Sequence, residues 1–368
     1  MSNSGSTKKA KVCIVSISLA GGGAERSTAL LSKMLDAQGY DITIALVNGA
    51  IDYQYSGTVY NIGMGQKPFG FLSTIGNLLR FSSFIKKQQF DLIIDNRTRP
   101  TTLKESIYSG FLYKGVKVLY VVRSYHLPNY FPKSLKMVKK QASRALGYVG
   151  VSKAITENIT TTYGIEKVFS IYNPIQIKTF NERSLEYNVD GRFILAVGRL
   201  DEDVKNFSLL LEAYAQSDLP KNNIALKILG DGPDKHRIQA KLEGLQLQDL
   251  ATIEPFTKNP FPYYKQALCT TLTSQYEGFP RALLESLAVG TPVVSVDCLS
   301  GPAEIVNHGD NGLLVVNHDS AAFASALNNL IFDTALYAKC KAQAQASVAH
   351  LDAAEIAQEW DQLVQKLL

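Results

Sequence analysis

Two short stretches in the second half of this sequence place charge where strand-to-helix loops leave backbone N–H groups open. In GRLDEDVKN (198–206), Gly198 closes an apolar run, and Arg199 and Lys205 follow within one loop. Open α/β sheets bind ligands outside the carboxyl ends of their strands, so two cations there suit a diphosphate. In EGFPRALLE (277–285), Glu277 lies in the loop after ALCTTLTSQY, and Gly278 permits close backbone approach. Phe279 comes next, Pro280 stands where a first helical turn starts, and Glu285 falls inside the helix. The two carboxylates therefore sit at different depths of one crevice. A carboxylate is the usual partner for ribose or sugar hydroxyls, and the helix N-terminus between the two suits a phosphate.

The first half offers weaker chemistry. GGGAER (21–26) follows an apolar run and opens a helix, so Gly22 and Gly23 leave N–H groups open to an anionic or polar ligand. It is neither the GxGxxG dinucleotide fingerprint nor a P-loop, and a plain tight turn explains it as well. RSYHLP holds Arg123, an anion contact by type, and His126, the only histidine of this half. A lone histidine is more often structural than functional. Asp201-Glu202-Asp203 is formally a D-x-D metal motif. Two flanking cations make it a poor cage, and the histidines have no metal spacing, so no metal or cofactor is expected. Further polar turns lie at ILGDGP (228–233), DCLSGPAEI (297–305) and IYNPI (171–175).

These loops need elements to hold them. KVCIVSI, DITIALV, DLIID, VKVLYVV, ALGYVGV and KVFSIY are short, β-branched and apolar without strict alternation, as strands covered on both faces read. Amphipathic stretches such as AERSTALLSKMLDAQG, closed by Gly39, lie between them. The pattern pauses over 173–191, read as a linker. It restarts with FILAVGR, ALKILG, ATIEPF, ALCTTLT, TPVVSVD and GLLVV. The fold class is α/β, with two Rossmann-like domains facing across a cleft: 1–175, 176–349, and a terminal segment 350–368 returning to the first. That segment reads as one helix with Ile356, Trp360, Leu363 and Val364 on a face.

Length and composition bound the rest. The chain has 368 residues, 46% hydrophobic and 19% charged, which excludes wholesale disorder. Its four cysteines, Cys13, Cys269, Cys298 and Cys340, are too scattered for a disulfide framework and fit a reducing compartment. No apolar run reaches the ~18 residues of a membrane span. The N-terminus reads as a polar tail of about nine residues and a first strand, not as a signal peptide. Charge is lopsided: residues 1–175 carry 22 basic and 9 acidic side chains, net +13, and the remainder carries net −8. A negatively charged partner facing one half follows. Lys133, Lys136, Lys139, Lys140 and Arg144 share one side of a helix. A solvated face is one reading, and an anionic membrane surface is the other. FGFLSTIGNLLRFSSFIKKQQF (69–90) supports the membrane reading modestly, though an ordinary core-facing helix explains it too. Nucleic acid is not expected, since aromatics do not interleave with the basic cluster.

Taken in order, GGGAER, VSKAI, IYNPI, GRLDEDVKN, GDGP, EGFPRALLE, GPAEI and NGLLV resemble glycosyltransferase family four, and the resemblance covers nearly the whole chain. It implies the GT-B fold and a retaining, metal-independent enzyme. It implies that Arg199 and Lys205 grip the donor diphosphate, that Glu285 takes the ribose hydroxyls, and that Glu277 lies near the donor sugar. Gly22 and Gly23 would fall in the loop approaching donor and acceptor. Family members often carry a histidine or an Arg-Asn pair where this chain has Arg123-Ser-Tyr-His126, which matches neither cleanly. The expected reaction moves a hexose or N-acetylhexosamine from a nucleotide sugar, UDP by family habit, to a polyprenyl-diphosphate-linked glycan in surface-polysaccharide or lipopolysaccharide assembly. Arg123, His126, Lys136, Lys139 and Lys140 are the acceptor and anion candidates. His126 also stands with Arg199, Lys205 and Glu277 as a catalytic candidate, and Gly278, Phe279 and Pro280 stand on the donor side. The expected location is cytoplasmic, on the inner face of the membrane. A sugar-nucleotide epimerase and a non-enzymatic sugar-nucleotide sensor are the alternatives.

Overall fold

The computed structural model describes residues 10–63 and 71–368. The tail of nine residues and the first two residues of the 69–90 segment lie outside them. The chain divides into two units, Met1–Pro174 with Ala353–Leu368, and Ile175–Asp352.

In the first unit, the elements run β1 (Lys11–Ser16), α1 (Gly23–Ala37), β2 (Asp41–Leu46), β3 (Thr58–Asn61), α2 (Phe71–Gln88), β4 (Leu92–Asp95) and α3 (Thr102–Ile107). They continue with β5 (Val118–Val122), α4 (Leu135–Ala142), β6 (Gly147–Gly150), α5 (Lys153–Tyr163) and β7 (Val168–Ser170). Among the described residues the strands form one parallel sheet in the order β3-β2-β1-β4-β5-β6-β7. Val12–Val15 of β1 lie between Ile42–Ala45 of β2 and Leu92–Asp95 of β4. Helices on both faces explain why these strands are apolar throughout instead of alternating. β3 has no such run. It is a half-exposed edge strand reading TVYN, which is why apolar patterning passes over it.

The second unit begins with α6 (Ile177–Arg183), then β8 (Phe193–Val197), α7 (Glu202–Lys205), α8 (Phe207–Gln216), β9 (Ala225–Leu229) and β10 (Ala251–Glu254). β11 (Thr270–Leu272), β12 (Val293–Asp297) and β13 (Gly312–Val316) follow. The described strands form a parallel sheet in the order β10-β9-β8-β11-β12-β13. Ile194, Leu210, Leu226, Val294, Phe323 and Leu327 are among its fully buried core.

Two boundaries differ from expectation. The stretch 173–191 is not only a linker: α6 lies in it, and its Phe180 is buried and stacks on Phe261 at 4.2 Å. Phe180, with Asn181 Nδ2 donating to Ala288 O (3.1 Å), anchors this helix to the second unit. The breaks fall at Pro174–Ile175 and Asp352–Ala353, against the expected 175–176 and 349–350. Residues 350–352 stay with the second unit because the Ile175 N–H donates to Leu351 O (3.0 Å) and the Ile177 N–H to Asp352 Oδ2 (3.1 Å). The final helix, Ala353–Leu367, buries Ile356, Ala357, Trp360, Leu363 and Val364 within the first unit, where Tyr40 donates to Asp361 (2.7 Å).

Each sheet reverses its strand order once, between β1 and β4 and between β8 and β11. Such switch points open a crevice at the carboxyl ends of the strands. The candidate loop after β1 emerges at the switch point of the first sheet, and those after β8 and β11 at that of the second.

Candidate active site

In the second unit, the loops after β8 and β11 are sewn together. The Gln275 N–H donates to Val204 O (2.8 Å), and Thr273 Oγ1 donates to Lys205 O (3.1 Å). This brings Lys205 Nζ to 2.5 Å from Glu277 Oε1, which also accepts from the buried Ser274 hydroxyl at 2.7 Å. The Lys205 stem runs over Gly198, where a Cβ would lie 3.5 Å from Lys205 Cε. Arg199 is exposed on the same loop. Asn206, in the left-handed region at φ 49°, turns the chain and caps α8 through Leu209 N–H.

Two of the three acidic residues of this loop hold partners within the fold. Glu202 is buried and accepts from the N–H groups of Phe207 (3.0 Å) and Ser208 (2.8 Å), capping α8. Asp203 pairs with Arg237 at 3.2 Å.

The loop after β12 supports Glu277 from the other side. The Glu277 N–H donates to Leu299 O (2.9 Å), and Ser300 Oγ donates to Gly278 O (3.0 Å). Gly301, at φ 103°, is required: a Cβ there would lie 2.6 Å from Pro280 Cδ and 3.0 Å from Gly278 O. Phe279 is buried, and Pro280 is the N-cap residue, so the helix Arg281–Ala288 begins one residue later than the sequence suggested. Glu285 is only 4% exposed on this helix and pairs with Arg281 at 3.1 Å. Glu277 also reaches a nearby thiol. Burial, with Glu277 adding, pushes Cys298 up to about 12, so it is a neutral packing residue.

In the first unit, Gly22 and Gly23 are exposed at the N-terminus of α1, with Gly22 its N-cap residue. Arg123 is held by two asparagines: Nε donates to Asn96 Oδ1 (3.0 Å) and Nη1 to Asn173 Oδ1 (2.6 Å). Asn96 Nδ2 donates in turn to Thr28 Oγ1 of α1 (2.8 Å). Arg123 and Asn173 line a small pocket with Ser27, Leu31, Met34 and Trp360. His126 is exposed and starts a short turn, Leu127–Asn129. Lys136, Lys139 and Lys140 are exposed on α4, a separate element whose other side buries Met137, Val138 and Gln141.

Directly behind Asn96 lies a buried ionic knot that sequence reasoning passed over. Asp95 pairs with Arg97 (2.7 Å) and Arg99 (3.8 Å), and Arg97 reaches Glu105 at 3.2 Å. All four are at most 5% exposed. Arg99 donates to the carbonyls of Arg97, Asp95, Val121 and Tyr130, which ties the loop after β4 to the loop that carries Arg123. Burial alone would push the Asp95 carboxyl up, but Arg97 and Arg99 outweigh it and hold it below its ordinary value. For Glu105 burial wins, and its carboxyl is raised. The available signal was DNRTRP (95–100), two arginines two apart after a strand ending in aspartate.

The family model described as Glycosyl transferases group 1 matches residues 177–347, and the one described as Glycosyltransferase Family 4 matches residues 21–179. The N-acetylgalactosamine-N,N'-diacetylbacillosaminyl-diphospho-undecaprenol 4-alpha-N-acetylgalactosaminyltransferase of Campylobacter jejuni is 27% identical over 95% of this chain and 98% of its own. The lipopolysaccharide 1,6-galactosyltransferase of Escherichia coli is 33% identical over 50% of this chain and 52% of its own. HepE of Anabaena, solved in complex with UDP, superposes with a TM-score of 0.77 at 19% identity over 97% of this chain and all of its own. That likeness gives the fold, two Rossmann-like units of the GT-B kind. With family models tiling residues 21–347, the chain belongs to glycosyltransferase family four and is a glycosyltransferase.

Proposed function

We propose that this glycosyltransferase moves a hexose or N-acetylhexosamine from a nucleotide sugar, a UDP-sugar by preference, to a polyprenyl-diphosphate-linked glycan in the assembly of a bacterial surface polysaccharide. The observation that carries the donor side is the meeting of Lys205 and Glu277 at the β8/β11 switch point, with buried Glu285 one helix further in. The named activities of the Campylobacter and Escherichia relatives, and the UDP held by HepE, agree with it.

In this reading, transfer proceeds with retention and without metal. A retaining glycosidase sets two carboxylates ~5 Å apart around the anomeric carbon. Here Glu277 is committed to Lys205 and Ser274, and Glu285 to Arg281. The leaving diphosphate instead takes the acceptor proton while the acceptor oxygen attacks from the face it leaves. Arg199, Lys205 and the N-terminus of the helix Arg281–Ala288 stabilise the charge growing on it.

Arg123, His126, Lys136, Lys139 and Lys140 serve the acceptor. α3 and α4 lie side by side, joined by Gln141 to Glu105 (3.1 Å). Leu103 (73% exposed) on α3 and Leu135 (52%) on α4 stand among Lys104, Lys136, Lys139 and Lys140. Exposed leucines within a lysine field suit peripheral binding to an anionic membrane face. Among the described residues, no helix is long and apolar enough to cross a membrane.

A panel of nucleotide sugars incubated with the protein and a membrane lipid extract tests the proposal. Consumption of one donor that depends on the lipid extract is the expected result. Epimer formation without acceptor defeats it in favour of an epimerase, and donor binding with no transfer favours a sensor.

A further inference from the structure

Arg281 stands in an unexpected place. It is the first residue of the helix Arg281–Ala288, where the macrodipole disfavours a cation. Its ion pair with Glu285 runs from cation to anion along the chain, the less favourable order for an i,i+4 pair. Helix stability therefore does not account for it. The partner does: the Glu285 side chain is 6% exposed, in a helix whose residues from Leu283 to Ala288 are all buried. A carboxylate that deep needs a charged hydrogen-bonding partner, and Arg281, 14% exposed, supplies one at 3.1 Å.

We infer that Arg281 is a positioning residue for the donor: it fixes the Glu285 carboxylate in the orientation that receives the ribose hydroxyls of the nucleotide. This rests on the reading of Glu285 as the ribose partner. It adds that discrimination for ribose depends on a residue that need not touch the nucleotide. Lysine keeps the charge at 281 and should keep most of the effect, whereas Met keeps the apolar stem alone and should not.

The test uses the full chain and equilibrium titration of UDP and GDP, each beside its 2′-deoxy form. The nucleotide that binds is then followed through R281M, R281K, E285Q and the double variant R281M/E285Q. Wild type should favour the ribonucleotide by about tenfold, the scale of one hydrogen bond to a charged group. E285Q should erase the preference, and R281M should reduce it below about threefold. R281K should restore most of it, and the double variant should match E285Q. Thermal melting of R281K and R281M separates a folding defect from a local one, and R281K keeps the test alive if R281M does not fold. Full ribose preference in R281M beside its loss in E285Q overturns the role of Arg281 alone. Equal weakening of ribo and deoxy forms in R281M, with the preference intact, places Arg281 on the phosphates and also overturns it. A preference absent from wild type, or unchanged in E285Q, overturns the reading of Glu285 and this inference with it.

Discussion

Two anions claim Lys205. In the resting chain it holds Glu277 at 2.5 Å, and in the proposed reaction it faces a departing diphosphate whose charge grows as the glycosidic bond breaks. A cation preorganised for the leaving group acts on the transition state more than on the bound donor, so K205A should lower kcat about 100-fold at saturating donor. A change confined to donor KM would remove it from the chemistry. Arg123 is preorganised differently, by Asn96 and Asn173. N96A should raise the KM for lipid-linked acceptor about tenfold and leave donor KM within about twofold, measured by steady-state kinetics with each substrate varied. An unchanged acceptor KM would mean the asparagine is only structural. Lys205, Glu277 and Glu285 were picked out as candidates because charge in a strand-to-helix loop, or in the helix it opens, is informative by type alone. Arg281 and Ser274 were in plain view as well, but what they do depends on a partner's burial, which no spacing reveals. Asn96 could not be found at all without knowing that the loops after β4 and β5 adjoin.

Elements were easier to read than the contacts between them. Apolar runs mark twelve of the described strands, the part-exposed edge strands β7 and β10 among them, while β3, polar and half exposed, carries no such run. Phe180 shows the reverse: a charged, proline-led segment reads as linker until one aromatic finds a core. The knot of Asp95, Arg97, Arg99 and Glu105 is a larger omission, because charged residues in a loop are normally solvated and these are not. Its titration can be measured. The Asp95 carboxyl lies below its ordinary 3.8 when folded, so its contribution to stability is present above that value and is lost as pH falls through the lower folded one. Glu105 is raised, so its contribution has the opposite sign: present below its ordinary 4.5 and lost as pH rises through the folded value. D95N leaves two buried guanidinium groups short of their anion and should cost about 3–5 kcal/mol at pH 7 in denaturant unfolding. That difference should shrink below about pH 4. E105Q should cost less, about 1 kcal/mol, since it removes a carboxylate whose charge is opposed by burial. If D95N costs as little as E105Q at pH 7, the knot is not what holds the two loops together.

At the scale of the whole chain, the charge asymmetry seen in the sequence persists when residues are assigned to the structural units. Met1–Pro174 with Ala353–Leu368 carries 23 basic and 12 acidic side chains, net +11, and Ile175–Asp352 carries 15 and 21, net −6. These fields should affect the two proposed substrates unequally. A diphosphate held at contact distance, as proposed for Lys205 and the helix N-terminus, would feel mainly short-range attraction, which salt screens weakly. A lipid surface approached by Lys136, Lys139 and Lys140 feels the summed field, screened over about 10 Å at 0.1 M salt. Raising NaCl from about 0.05 M to about 0.5 M should therefore release the protein from anionic vesicles and raise KM for membrane-presented acceptor by at least tenfold, while the Kd for UDP moves less than about threefold. Flotation and calorimetry on one preparation read both. Charge reversal in K139E/K140E should reproduce the high-salt behaviour at low salt, with UDP affinity intact because both residues lie on α4, outside the loops proposed to hold the donor. Salt-insensitive retention on the vesicles would shift the weight from the lysines to Leu103 and Leu135. Equal salt sensitivity of UDP and membrane binding would mean that the opposite charges of the two units do not sort the substrates.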